Sequence, residues 1–300
     1  MGYKSTKYNK HIIYVWLDAL TNYLSALNYP NIEDQLFKNF WPATLHIIGK
    51  DILRFHAVYW PAFLLAADIK PPNRVYGHGW ILSDKEKMSK SKGNILDPLE
   101  MIKIYGLDQL RYYLIKEVSF GKDGNISNEN IANCINSDLA NNYGNFCQRT
   151  FSFAEKYCKN MVPSNIDFNS EDLKILNSFS NNITKIRSLM DNQQLNEYVK
   201  FIIDKSFDAN KYFNDEAPWN KKDDKKRLNT IVYVSLEVIR KISMLLLPII
   251  PSSANKALTS LNLNIKTLKL DSISDHLAIK PGSKLNNQGI LFKKIEKQDG

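Results

Sequence analysis

Cysteine is scarce: the 300 residues hold three, Cys134, Cys147 and Cys158. None falls in a Cys-X-X-Cys pair, which argues against a zinc knuckle or a disulfide framework. Three free thiols fit a reducing cytosol, so the expectation is a cytoplasmic protein with no metal or zinc site. Long hydrophobic runs are also missing. The apolar run from Met244 to Ile250 is short and is interrupted by Pro248, far from the length a bilayer demands, so no membrane association is expected. No secretory leader is read at the start. The opening Met1-Gly2-Tyr3-Lys4-Ser5-Thr6 fits a loose acylation pattern short enough to arise by chance. Internal repeats are lacking too. Acid is in the minority: 40 Lys and Arg against 31 Asp and Glu leave a net charge of +9. A basic excess suits an anionic partner such as RNA, but a Lys-, Asn- and Ile-rich coding bias gives the same balance, and charge alone does not choose.

Two unlike halves follow one another. Over the first ~120 residues strand and helix patterns alternate, as in a layered α/β domain. His11 to Leu17 reads as a buried strand with a helix from about Ala19. Thr44 to Ile48 reads as a second strand, running through Gly49-Lys50-Asp51 into a long apolar helix from Ile52 to Ala67. Arg74 to Leu82 reads as a third strand, Ser83 to Asn94 as a polar loop, and Met101 to Glu117 as one closing helix. From about Ser127 the strand signal fades. Asn128 to Lys159, Ser170 to Met190, Gln194 to Asn214 and Arg227 to Leu246 carry helical spacing, which predicts a bundle of four or five helices. The tail from Ile265 reads as polar, with a turn at Pro281-Gly282 and a small apolar patch at Ile290-Leu291-Phe292.

The polar loop holds Lys87-Met88-Ser89-Lys90-Ser91, then Lys92-Gly93-Asn94. Lysines supply point charge, while serine hydroxyls and loop amides donate hydrogen bonds, a combination suited to a triphosphate. Lysines that meet charge developing on phosphate oxygens stabilise the transition state selectively. A generic loop of this composition is more often just solvated. This one matches the signature loop of class I aminoacyl-tRNA synthetases, and the chain resembles the methionyl-tRNA synthetase family over nearly its whole length. Tyr14-Val15-Trp16-Leu17-Asp18-Ala19-Leu20 looks like the family's amino-acid-pocket strand. His46-Ile47-Ile48-Gly49-Lys50-Asp51-Ile52, with Arg54-Phe55-His56 and Trp60-Pro61-Ala62, looks like its central strand and helix. Gly77-His78-Gly79-Trp80 precedes the loop, and Pro98-Leu99-Glu100, Arg111-Tyr112-Tyr113-Leu114 and Ala217-Pro218-Trp219 follow in the family's order.

The resemblance implies an α/β part followed by an all-α part. On that resemblance residues 1–126 would be the second half of a Rossmann-type class I catalytic domain, and residues 127–300 an anticodon-binding helical bundle with a tail. It implies a methionine pocket of Trp16, Ala19, Leu20, Tyr23, Asp51, His56 and Trp60. Aromatic walls suit an unbranched thioether, Tyr23 and His56 would supply polar contacts near the sulfur, and Asp51 at a strand end would bind the ammonium. As isolated residues, Trp16 and Trp60 are as well explained by the core, His56 as a satisfied core histidine, and Asp51 as a helix cap. The family often has proline where Leu20 stands. By the same resemblance His78, Gly79, Lys87, Met88, Ser89, Lys90 and Ser91 bind ATP, which arrives with Mg2+, and Lys87 and Lys90 are catalytic. Gly79 would let backbone approach the adenosine.

Asn141, Asn145 and Arg149, spaced i, i+4 and i+8, share one helix face. They resemble the anticodon-reading helix, with Pro218 and Trp219 offering a stacking platform for an unpaired base; a polar solvent face and a packed tryptophan are the alternative. The family's His-Ile-Gly-His phosphate signature and zinc-binding insertion do not occur in these residues. The expectation is therefore a methionine–tRNA ligase chain lacking the first catalytic half. Its partners would be methionine, ATP, tRNA(Met) and a separate chain carrying that half, and the protein would otherwise be a monomer. The alternative is a non-catalytic tRNA anticodon-binding fragment.

Overall fold

The computed structural model describes residues 7, 10, 12, 14–83, 86–87, 96–119, 121–164 and 166–296. Contacts divide the chain into two compact units, Met1–Trp80 with Gly121–Asp123, and Ile81–Phe120 with Gly124–Gly300.

In the first unit, α1 (Val15–Ser25) and α2 (Gln35–Phe40) precede β1 (His46–Gly49). The expected strand over His11 to Leu17 is corrected here, because Val15, Trp16 and Leu17 already belong to α1. The apolar run hid a helical period. Leu20 and Leu24 are the buried pair, four residues apart, while Val15 and Leu17 face outward. β1 pairs in parallel with β2 (Val75–His78), His46 opposite Val75 and Gly49 opposite His78. Burial alternates along β1, so that His46 and Ile48 point inward. The helix after β1 is not uniform. It opens with a 3-10 turn at Lys50–Ile52, widens to a π-helical stretch at Phe55–Tyr59, and ends as α3 (Trp60–Ala66). Leu20, Leu24, Trp41, Trp60 and Leu64 form this unit's core.

The expected third strand is two strands. Gly79 and Trp80 separate β2 from β3 (Ile81–Ser83), which belongs to the second unit. The interruption has a steric origin. A Cβ at Gly79 would stand 2.1 Å from the Lys122 carbonyl oxygen, and the Trp80 amide donates to Asp123 Oδ1 at 2.9 Å rather than to a ladder.

In the second unit β3 lies between β4 (Glu86–Lys87), antiparallel, and β5 (Gly124–Ile126), parallel. The expected single helix over Met101 to Glu117 is also two, α4 (Pro98–Tyr105) and α5 (Leu107–Glu117). Asp97 caps α4 by accepting from the Leu99 amide at 2.8 Å. Gly106, at φ 93°, ends it in a conformation that glycine tolerates best.

Seven α-helices are described after Ser127: α6 (Asn128–Cys134), α7 (Asn145–Tyr157), α8 (Ser170–Ser180), α9 (Ile183–Asp191), α10 (Leu195–Glu216), α11 (Lys225–Leu246) and α12 (Pro251–Ser260). A π-helical stretch, Ile135–Gly144, joins α6 to α7. Helix α11 is buried from Thr230 to Leu246, charges included. Arg240 donates from Nε to Glu237 Oε2 at 2.6 Å, and its Nη2 reaches the carbonyls of Ser272 at 3.0 Å and Asp275 at 2.9 Å. Lys241 donates to the carbonyls of Ile273 and Asp275. Such bonds satisfy buried cations that would otherwise be costly.

The tail expected to be mainly polar is therefore anchored. Ile273, Ile279, Leu285 and Phe292 are core residues, and Phe292 closes over Tyr143. Helix α5 is fastened in the same unit, with Arg111 donating to the carbonyls of Ile249 at 2.8 Å and Pro248 at 2.9 Å. Among the described residues no helix is long and apolar enough to cross a membrane.

Candidate amino-acid pocket and RNA-facing surface

In the first unit, α1 and the irregular helix after β1 bring most of the expected pocket together. Tyr23 donates from its hydroxyl to His56 Nε2 at 3.0 Å. The direction follows from the other ring nitrogen: His56 Nδ1 stands 3.1 Å from the Ile52 carbonyl, which only accepts, so Nδ1 carries the proton. Burial pushes the Tyr23 hydroxyl above its ordinary value and keeps it a donor. Trp16 stacks on Phe55 with ring centres 4.2 Å apart and planes 10° from parallel, and meets His56 edge-on at 6.1 Å. The π-helical stretch inserts one extra residue per turn at this point, as local widenings at binding sites commonly do.

Leu20 and Trp60 are 1% and 2% exposed and lie in the core, with the Trp60 ring 6.2 Å from that of Tyr23. Ala19 is exposed on α1. Asp51 is exposed in the turn after β1, its Oδ1 only 2.6 Å from where a Cβ on Gly49 would stand, so that glycine makes room for the carboxylate. No capping hydrogen bond supports the helix-cap alternative.

Three residues outside the expected set complete the cluster. His46 stacks beneath Tyr23 at 4.4 Å, Trp41 and His56 flank His46 at 6.3 and 6.2 Å, and Phe55 carries Trp16. Burial, and secondarily the nearby His56, lowers the His46 pKa below its ordinary value, favouring the neutral ring. Hydrophobicity does not alternate along His46-Ile47-Ile48, so only burial in the folded strand shows the His46 ring facing inward.

His78 ends β2 and donates from Nδ1 to the Gly79 carbonyl at 3.0 Å. The close approach that Gly79 permits in this structure is to the Lys122–Asp123 backbone. Lys50 binds both Asp123 oxygens, at 2.5 and 2.7 Å, and sits 4.4 Å from the Trp80 ring. Lys87 lies in β4 with its backbone opposite Leu82. Met88, Ser89, Lys90 and Ser91 lie outside the described residues. No group of three or more His, Cys, Asp or Glu side chains among the described residues is arranged to hold a metal ion.

In the second unit, Asn141 and Asn145 are exposed and Arg149 is half-buried, on the side of the helix away from Asn142. Asn142 is buried and fixes that rotation, accepting at Oδ1 from Ser206 at 3.0 Å and Asn210 at 2.9 Å and donating to the Ile203 carbonyl at 3.3 Å. Arg149 donates to Asn214 Oδ1 at 2.7 Å and lies over two rings, Phe213 at 5.2 Å and Trp219 at 6.0 Å. Ala217 takes a left-handed conformation, φ 43°, uncommon for a residue with a Cβ. It turns the chain into the short Pro218–Asn220 helix. Pro218 is buried there while Trp219 stays 39% exposed, edge-on to Phe213. The sequence-predicted residues Asn145, Arg149 and Trp219 thus border one face. Phe153 and Tyr157 extend it, and the signal was present: they continue the i, i+4 series that starts at Asn145.

Residues 1–151 match the family model described as tRNA synthetases class I (M), and residues 162–300 match that of the anticodon binding domain of methionyl tRNA ligase. Among curated proteins, the methionine–tRNA ligase of Rickettsia felis is 44% identical over 299 residues, covering 98% of this chain and 58% of that protein. That of Brucella suis is 48% identical over 250 residues, 83% of this chain and 48% of that protein. Among solved structures, Mycobacterium tuberculosis methionyl-tRNA synthetase in complex with methionyl-adenylate superposes with a TM-score of 0.91 at 40% identity, covering 97% of this chain and 58% of that one. The chain thus spans roughly half to three-fifths of the length of these relatives.

Proposed function

Because this chain belongs to the methionyl-tRNA synthetase family, with its class I Rossmann-like part and helical anticodon region, we propose that it serves methionine charging of tRNA in company with a polypeptide bearing the His-Ile-Gly-His half. A methionine carboxylate oxygen attacks the α-phosphorus of ATP, which enters as its Mg2+ complex. The bond to the β-phosphate oxygen breaks, pyrophosphate leaves, and methionyl-adenylate remains. A ribose hydroxyl of the 3′-terminal adenosine of tRNA then attacks the methionyl carbonyl and AMP leaves.

The observation that carries this reading is the Tyr23–His56 pair inside an aromatic wall. Rings offer sulfur polarizable contacts, and a proton-locked Tyr–His pair presents a fixed polar edge to a thioether. Asp51, beyond the end of β1, suits the substrate ammonium. His78 and Gly79, with the loop Lys87 to Ser91, would take the nucleotide. Lys87 and Lys90 would meet the charge that grows on the phosphate oxygens. Asn141, Asn145, Arg149, Pro218 and Trp219 would read the anticodon. On this reading the functional boundary lies near residue 126, with a catalytic part before it and the tRNA-reading part after it.

A second reading is an RNA-binding module without catalysis, for which the exposed Trp219 beside Arg149 would suffice. Methionine-dependent pyrophosphate–ATP exchange separates the two. The 300-residue polypeptide alone is expected to show no appreciable exchange, and exchange should appear when a polypeptide bearing the His-Ile-Gly-His half of a relative is added. In that mixture Lys87→Ala or Lys90→Ala should slow exchange by about 10²–10³-fold, the scale of one lost transition-state donor, with methionine affinity nearly unchanged. Failure of complementation, or lysine variants within a few-fold of wild type, would favour the second reading.

A further inference from the structure

Lys50 ties together three segments that lie far apart in the chain. It opens the turn after β1, one residue before Asp51. Its ammonium donates to both oxygens of Asp123, at 2.5 and 2.7 Å, and stands 4.4 Å from the centre of the Trp80 ring. Asp123 in turn accepts the Trp80 amide at 2.9 Å. The segment that carries Asp123 is pressed onto β2 and the residues after it. A Cβ on Gly121, whose φ is 95°, would stand 2.8 Å from the Tyr76 hydroxyl, and one on Gly79 would meet the Lys122 carbonyl oxygen at 2.1 Å. All of these residues belong to the first unit.

Magnitudes decide what such a cluster is for. The two side chains of the ion pair are 38% and 36% exposed, and pairs in that setting add little to stability. What the pair fixes is geometry. The Asp123 carboxylate takes three hydrogen bonds from two segments. The bond from Lys50, and after it the Trp80 amide, hold its carboxyl below the usual carboxylate range, so the pair stays charged. An ammonium with two of its three N–H bonds committed to a carboxylate, and its charge balanced there, is poorly placed to take a substrate phosphate as well.

Resting on the methionine-charging reading above, we propose that Lys50 and Asp123 are a positioning pair for adenylate formation. They hold the turn carrying Asp51, which takes the methionine ammonium, against the Gly79–Trp80 segment, which takes the nucleotide. Neither side chain touches substrate. The separation of the two substrates is set through them, and reacting groups misplaced by about 1 Å lose about 10²-fold in rate.

The test uses methionine-dependent pyrophosphate–ATP exchange by the chain mixed with a polypeptide bearing the His-Ile-Gly-His half. Lys50→Met keeps the aliphatic stem, and Asp123→Asn keeps an acceptor for the Trp80 amide. Each should lower kcat by about 10- to 100-fold, with the KM values for methionine and ATP changed far less and the melting temperature nearly unchanged. The double variant should be no slower than the slower single, because both remove one shared interaction. Lys50→Arg, whose guanidinium can hold both carboxylate oxygens, should keep most of the rate. Losses that multiply in the double variant, or a loss for Lys50→Met with none for Asp123→Asn, would make Lys50 a substrate-binding lysine and overturn the proposal. So would an intact kcat with a lowered melting temperature in both variants. A second measurement needs no catalysis. In the chain alone, Lys50→Met should speed hydrogen exchange of the Trp80 amide severalfold, and unchanged exchange there would overturn the pairing. A wild-type mixture without pyrophosphate exchange would instead sink the charging reading, while the Trp80 amide would still report whether Lys50 fixes the segment.

Discussion

His46 lies under the tyrosine that addresses His56, buried and held below its ordinary pKa first by burial and then by His56. The folded chain therefore binds a proton there less readily than the unfolded chain, whose histidine titrates near the ordinary ~6.5. Stability rises with pH wherever the unfolded state carries the extra proton. This contribution is intact above the ordinary value and drains away as pH falls from it toward the lowered folded value. Urea midpoints of wild type should drop between about pH 7.5 and 5.5, and His46→Phe, which keeps the stacked ring and removes the titration, should drop less. Equal drops in both proteins would show that protonation of His46 costs the fold nothing. Tyr23 and His56 were assigned to one site by the family resemblance, and the hydrogen bond between them is what the structure adds. His46 was not, because a histidine at a strand start looks the same whether it faces solvent or a tyrosine ring. Asp51 and Ala19 were assigned only through the family resemblance, and both are exposed.

At the scale of elements, the long α10 and α11 were legible from their 3.6-residue period, and β1 was legible as a strand, but not in which face it buries. The strand assigned to His11–Leu17 failed because a dense apolar run carries both periods, and the Leu20–Leu24 spacing decided for helix. The helix assigned across Gly106 failed because one left-handed residue outweighs the propensity of its neighbours. The anchored tail was hidden because its partners, Arg240 and Lys241, are charges that a sequence reading leaves in solvent.

The short Pro218–Asn220 helix gives the sharpest prediction at this scale. Trp219 is both packed edge-on against Phe213 and open to solvent, so packing and RNA stacking make different demands on it. Trp219→Ala should cost about 1–3 kcal/mol of affinity for a CAU stem-loop, as for one base–aromatic stack, and should shift the melting temperature little. Asn145→Ala and Arg149→Ala should reduce discrimination between CAU and an altered loop while general, salt-sensitive RNA affinity persists. A Trp219→Ala chain with a lowered melting temperature and undiminished CAU preference would make that residue a core tryptophan.

Across the whole chain, the order of family blocks made the α/β-then-α succession legible. It did not reveal that Ile81–Phe120 pack with the helices that follow. Those contacts run through Arg111 and Asp108, which reach the start of α12 and the turn before it, more than 130 residues away in sequence, and no local pattern encodes such a distance. The central claim is that one chain contributes both the choice of methionine and the choice of anticodon. Charging tests both at once: the initial rate of methionine transfer to tRNA by the chain complemented with a His-Ile-Gly-His half, for tRNA bearing CAU and for the same tRNA with an altered anticodon. The account predicts charging that requires methionine, falls steeply when the anticodon is altered, and loses most of that anticodon dependence in Trp219→Ala. Equal charging of both tRNAs by the wild-type chain, or charging that proceeds equally with another amino acid, would contradict it.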